Sequence, residues 1–291
     1  MAEERDRILK LLEEGKITAD QAARLIEALG ASRPESGFRA HGFRHRPHRF
    51  DRIPDIVAEA VSSALSFGAP GRAGRVQFPS GRGLLVKTVS GDIKITGSDQ
   101  QGVMVESSDS LTRSRQEGDN VVVRGVSGAV VVTVPAAVRL ELATVSGDIT
   151  VTAAGMGVAA RSVSGDVRVT QAQGPFVIHT VSGDIDLVRC AGELEMKTKS
   201  GAVGLVQAGP CWGRIETDSG AVRLELGSEA DLLLDLGCEE EGEIDLKLSF
   251  PHAIVEQAEG RLKVKLGRGS RTLMVRTRRA DIRVCDIKEA K

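Results

Sequence analysis

Residues 140–151 read LELATVSGDITV, and the phrase returns at 158–169 as VAARSVSGDVRV and at 176–187 as FVIHTVSGDIDL. Working outward, the Ser-Gly dipeptide recurs at Ser90, Ser127, Ser146, Ser164, Ser182, Ser200 and Ser219. The later steps are 19, 18, 18, 18 and 19 residues, and the first, 37, is two periods. Self-similarity at a fixed short period is the mark of a stacked repeat architecture. A degenerate coil is expected around Asp109, where Val103, Val105 and Ser107 fit the pattern. A step of 19 beyond Ser219 reaches Cys238 behind Leu232, Leu234 and Leu236, and a last coil aligns on Arg279 with Leu273, Val275, Thr277, Ile282 and Val284.

Aligned on the corner, the repeats give rows. Six residues before it stand Leu84, Val121, Leu140, Val158, Phe176 and Leu194; four before stand Val86, Val123, Leu142, Ala160, Ile178, Met196 and Ile215. Two before, the row is Thr88, Thr144, Ser162, Thr180, Thr198 and Thr217. Strand residues two apart share a face, so these rows point inward, with the corner Ser expected beside them. Past the Gly, Ile149, Val167, Ile185, Val203 and Val222 begin a second set of inward rows. The fold expected is mainly β: a parallel β-helix-like β-solenoid over residues 84–287, with coils about 4.8 Å apart and ten or eleven in number, on the order of 50 Å in all. Gly at the corner suits a positive φ, and the Asp after it suits an Asx-type turn.

The row just before the corner points outward. It reads Val89, Val126, Val145, Val163 and Val181, then turns charged at Lys199 and Asp218. These valines are the candidate interaction face; the plainer reading is that β-branched residues make good strands. His179, Arg161 and Lys197 form a modest basic strip, expected to be solvated. Asp92, Asp148, Asp166 and Asp184 would stack as a carboxylate ladder able to recruit calcium, but Ala129, Ala202 and Ala221 interrupt it, so turn residues are the reading preferred.

Ahead of the repeat, residues 1–30 read as a helical hairpin. Ile8, Leu9, Leu11 and Leu12 form one apolar stripe, and Ala22, Ala23, Leu25, Ile26 and Leu29 the next, with Thr18 and Gln21 as a capping box. So small a unit buries little area. Ile8, Leu12, Leu25, Ile26 and Leu29 are therefore the candidate residues for binding a protein partner or for self-association. Residues 31–52 read as a flexible basic linker. Its arginines (Arg39, Arg44, Arg46, Arg49 and Arg52) supply the sequence's peripheral-membrane reading. Within residues 53–83 an amphipathic helix at 54–67 is expected to cap the solenoid's entry.

Composition narrows the function classes. The 39 basic and 40 acidic residues lack the excess of a nucleic-acid binder. Aromatics are 3% of the chain, with no Tyr and one Trp, beside 33 Gly; pocketed enzymes commonly line their sites with aromatics. Cys190, Cys211, Cys238 and Cys285 form no CxxC, so neither zinc nor a disulfide framework is expected. No cofactor, Walker loop, Rossmann loop or catalytic constellation is read. The charged start and the lack of an apolar run of about 20 residues give a cytoplasmic expectation, with peripheral envelope association as the variant.

In the repeated T-V-S-G-D-I motif and the leader ILKLLEEGKITADQAARLIEAL, the chain resembles the bacterial YvlB/LiaX-like proteins. These join a short SHOCT-like helical module to an adhesin-like β-solenoid domain of unknown function. The resemblance implies a non-enzymatic binding or scaffold protein with relatives tied to cell-envelope stress. Two rivals stand beside it: a self-assembling, bactofilin-like structural protein, and a carbohydrate-active β-helix enzyme. The polar tail Asp286, Lys288, Glu289 and Lys291 reads against end-to-end assembly.

Overall fold

The structure is a computed structural model that describes residues 74–79, 81–109, 111–240 and 242–287. The expected hairpin, linker and 54–67 helix lie outside the described residues. The chain divides between Ala69 and Pro70, and the described residues all lie in the second part.

Among the described residues there are twenty-one strands. In chain order they are β1 (Gly74–Phe78), β2 (Gly83–Ser90), β3 (Ile93–Ser98), β4 (Val103–Ser107), β5 (Arg113–Glu117), β6 (Asn120–Ser127), β7 (Val130–Pro135), β8 (Arg139–Ala143), β9 (Ile149–Thr152), β10 (Val158–Arg161) and β11 (Val167–Thr170). They continue as β12 (Phe176–His179), β13 (Ile185–Thr198), β14 (Val203–Thr217), β15 (Val222–Leu226), β16 (Leu232–Cys238), β17 (Ile244–Lys247), β18 (His252–Ala258), β19 (Arg261–Leu266), β20 (Arg271–Thr277) and β21 (Ile282–Asp286). Each coil places one strand before the Ser-Gly corner and one after it. The two resulting ladders face one another across a shared core, and β13 and β14 bend around the opposite corner to serve both.

The rows stack as the periodicity predicts. Leu140, Val158, Phe176 and Leu194 are in register along the pre-corner ladder, and Ile149, Val167, Ile185, Val203 and Val222 along the post-corner ladder. All are at most 2% exposed. Burial of large aliphatic side chains on both faces supplies the main stabilisation, about 1.5–3 kcal/mol for each.

Spatial order departs from chain order at both ends. The β2/β3 coil lies between the β6/β7 coil and the β8/β9 coil. The β20/β21 coil lies between the last part of β14 with β15 and the β16/β17 coil. Fixed-period alignment recovers register but not neighbourhood. Asp286 therefore lies one coil in from the end, and Lys288, Glu289 and Lys291 lie outside the described residues.

The coil expected at Asp109 is a layer traversed backwards. β4 pairs antiparallel with β7, and β5 antiparallel with β6, so the chain passes from post-corner to pre-corner side. Asp109 still reaches the corner stack, where its carboxylate accepts a hydrogen bond from the Ser127 hydroxyl. β1 pairs outside β4. At the other end β19 pairs antiparallel with β16, and β18 with β19.

The corner chemistry differs from expectation in three respects. Thr88, Thr144, Ser162, Thr180, Thr198 and Thr217 are buried as predicted, but the corner serines face out: Ser164, Ser182, Ser200 and Ser219 are exposed. Their Oγ atoms donate to the carbonyls of Val145, Val163, Val181 and Lys199 in the previous coil, at 3.1–3.4 Å. The corner Ser thus reaches the ladder from outside it.

Positive φ is also absent from the corner glycines, Gly128 (φ 84°) excepted. They are required by close approach instead. A Cβ on Gly165, Gly183 or Gly201 would strike the carbonyl of Gly147, Gly165 or Gly183 respectively. Left-handed backbone belongs to the opposite corner, at Gly157, Gly174, Gly192 and Gly213 and at Ala153, Gln171 and Arg189.

The Asp row acts between coils rather than within its own turn. Asp92, Asp148, Asp166 and Asp184 each accept, through Oδ1, the N–H of Asp148, Asp166, Asp184 and Ala202 in the next coil, at 2.7–3.1 Å. The carboxylates thus serve the backbone. Asp281 repeats the device with the Glu243 N–H at 3.1 Å. No helix among the described residues is long and apolar enough to cross a membrane.

Candidate functional site

The outer side of the pre-corner ladder carries both predicted features. Register places Lys87, Ala143, Arg161, His179, Lys197, Glu216 and Arg276 in one row. The valine row runs beside it, next to the corner. Its geometry follows from the alternation: inward Thr at one position turns the following Val outward.

The stripe is more closed than its outward position predicts. Val89 and Val145 are 6% and 8% exposed, while Val126, Val163 and Val181 are half-buried. Close spacing along the stack lets neighbouring β-branched side chains shield one another. The carbonyls of Val89, Val145, Val163 and Val181 accept from the N–H groups of Ser146, Ser164, Ser182 and Ser200 in the neighbouring coil at 2.9–3.0 Å, which fixes the row.

The basic strip is not the solvated face expected of it. Lys197 is 8% exposed, and its Nζ lies 3.3 Å from Glu195 and 3.5 Å from Glu216. Glu216 also pairs with Arg214. His179 Nε2 is 3.6 Å from Glu195. Burial pushes the His179 pKa down, the Glu195 carboxylate pulls it up, and Lys197 and Arg161 push it down. The network is not visible in the rows, because Glu195 stands in a different row and Glu216 occupies the basic row itself. The signal was available: an outward Lys between two carboxylates one strand apart.

The post-corner ladder carries a trough of about 810 Å³ toward its C-terminal end. Gly204, Ala202 and Ala221 form a floor without long side chains, and Asp186, Arg223, Arg283 and Asp245 stand around it. Arg168 and Asp186 pair at 2.9 Å, and Arg223 pairs with Glu225 at 2.6 Å.

The cysteines divide into two kinds. Cys190 and Cys211 are buried. The Cys211 thiol donates to the Cys190 carbonyl at 3.0 Å, and burial pushes its pKa up to about 12. A thiol so protonated is an inert core group. Cys238 and Cys285 are half-buried and free. Among the described residues no three of His, Cys, Asp and Glu are grouped to hold a metal ion.

The inserted β20 is clamped from both sides. The Arg271 guanidinium stacks 3.6 Å over the ring of Trp212 on β14. Arg276 holds Asp235 on β16, with Nη2 to Oδ1 at 2.8 Å and Nη1 to the carbonyl at 2.7 Å. The single Trp of the chain is thus a structural clamp.

Two family models match the chain. A SHOCT-like domain matches residues 3–33, and Toastrack DUF4097 matches residues 75–206. No curated protein matches. Among solved structures, a "putative cell adhesion protein" from Clostridium sporogenes is similar at 10% identity and a TM-score of 0.35, over 75% of this chain and 100% of that one.

Proposed function

We propose that this chain, which joins a SHOCT-like domain to a Toastrack DUF4097 domain, is a non-enzymatic scaffold that holds a protein partner on the outer side of its pre-corner ladder. The setting that the YvlB/LiaX-like resemblance implies is the bacterial cell-envelope stress response. The observation that carries the reading is the valine row running in register beside Arg161, His179 and Lys197. A rigid, part-exposed apolar stripe beside the exposed Arg161 guanidinium suits an extended acidic-apolar segment of a partner protein. Rigidity favours binding, because little order remains to be imposed. The SHOCT-like module, with Ile8, Leu12, Leu25, Ile26 and Leu29, is the second contact in this reading.

The test is site-specific photocrosslinking in cells from Val163 and Val181, with Thr150 on the other ladder as the control site. One protein captured from both valines and not from Thr150 is expected. Its purified form should bind Arg161→Glu about tenfold more weakly. Equal capture from all three sites would remove the assignment. Turnover of a glycan by the purified chain would replace it with the carbohydrate-enzyme reading.

A further inference from the structure

The two ladders end unequally at the C-terminal end of the rod. Beyond the β16/β17 coil, the pre-corner ladder gains two more strands, β19 and then β18. Among the described residues the post-corner ladder gains none, and β17 pairs only with β21. The terminal layer is therefore a step two strands high.

Both sides of the step carry unfinished core. Ile244 and Leu246 on β17 are half-buried, whereas Ile282 and Val284, their neighbours in register, are 0% and 1% exposed. Every residue of β18 is exposed, with Ile254 at 54% and Val255 at 59%. Ile254 is in register with the buried Val264 of β19, so it continues an inward row past the point where the opposite wall stops. Of the usual guards of an edge the strand carries only the Glu256 charge and a bulge at Val255. His252–Ala258 reads HAIVEQA, with no Lys or Pro, and its Glu256 lies 2.5 Å from Lys263 of its own hairpin. By contrast, β5 at the other end reads RSRQE.

We infer that this step is an interface for a second copy of the chain, joined end to end about a two-fold axis that runs along the strands. Such a rotation exchanges the two ladders. Each copy's two-strand projection then fills the other's two-strand deficit, which closes the assembly at two. β18 runs parallel to β16, and β17 runs the opposite way across the core. One copy's β18 thus meets the other's β17 in antiparallel fashion, the geometry of strand addition to a sheet edge. Ile254 is delivered onto the half-buried Ile244 and Leu246 of the second copy, and the Glu256 side of the strand faces its Lys247. The bulge at Val255 confines straight pairing to a short run, and β17 is itself only four residues long. Head-to-tail growth is disfavoured, because the projecting β18 would meet a charged edge at β5.

The test is sedimentation of the full chain over a concentration series, with Ile254→Lys as the variant. Ile254 is exposed in the single chain, so the substitution leaves folding intact. A dimer is expected whose dissociation constant rises about 100-fold or more in the variant, since each substitution is met twice. Independently, Lys247→Cys with Glu256→Cys, in a chain also carrying Cys238→Ser and Cys285→Ser, should oxidise to a covalent dimer. Within one chain the two positions lie on opposite outer faces and cannot join. A chain that remains monomeric throughout overturns the proposal. So does a dimer that Ile254→Lys leaves unchanged and that gives no 247–256 crosslink.

Discussion

At the scale of single residues, the corner glycines show how tightly the coils are seated. Gly183 lies directly over the carbonyl of Gly165, and a methyl group there has no room. Gly183→Ala should cost about 2–4 kcal/mol, because only backbone movement in two coils relieves the clash. Gly227, whose added Cβ would meet nothing closer than the Ile287 methyl at 3.7 Å, is the contrasting site. Gly227→Ala should change stability by less than about 1 kcal/mol, through lost freedom of the unfolded chain. Urea midpoints of the two variants check both statements, and equal midpoints would show that close approach is not what selects glycine at the corner. Glycine at these positions is conspicuous in the sequence, but its reason is not. A positive φ and a crowded carbonyl leave the same letter, and only the stacked backbone distinguishes them. The outward turn of the corner serines was hidden similarly, since Ser satisfies itself on either side of a ladder.

At the scale of elements, β12, β13 and β14 carry the partly buried His179, Lys197 and Glu216 on their outer side. Because burial holds the His179 pKa below the ordinary 6.5, the unfolded chain takes up its proton first as pH falls. The corresponding stability is present above about pH 6.5 and declines as the pH falls from there toward the lower folded value. The urea midpoint should therefore drop as the pH falls below about 6.5, and His179→Gln should flatten that part of the profile. An unchanged slope in the variant would assign the dependence to other groups. The strands themselves were legible down to their inward rows: Leu140 with Val158, or Ile149 with Val167, follow from spacing alone. The Lys197 network was not, because rows report stacking along the rod while ion pairs also form between rows. The candidate valines were legible as outward, but not as largely shielded, since shielding depends on the separation of coils and on side-chain shape.

For the whole molecule, the ladder should open from the end that the proposed assembly leaves uncovered. Amide exchange should be slowest in β10 to β13, which have coils on both sides, and fastest in β1 and β5, each with a neighbour on one side only among the described residues. Uniform protection along the rod would contradict this and would suit an assembly that covers both ends. The order of coils was the part of the architecture that sequence could not supply. Residues 84–95 and 121–132 align with equal quality whichever lies outermost, and the alignment at Arg279 holds equally for a coil that is last and for one that is inserted.

That inserted coil has a consequence for how the protein is made. Synthesis delivers β16 to β19 before β20 and β21, yet in the finished rod β20 lies between β14 and β16. A chain still growing on the ribosome has a slot one layer wide, lined by Ile215 and Leu234, which nothing already synthesised fills. The closing layer arrives after β16 to β19 and is locked on arrival by Trp212 on one side and Asp235 on the other. A chain halted before Arg271 is thus short of an inner course rather than an end piece. It presents two raw apolar edges to the quality-control machinery of the cell, and the core closes only once β20 and β21 have been made.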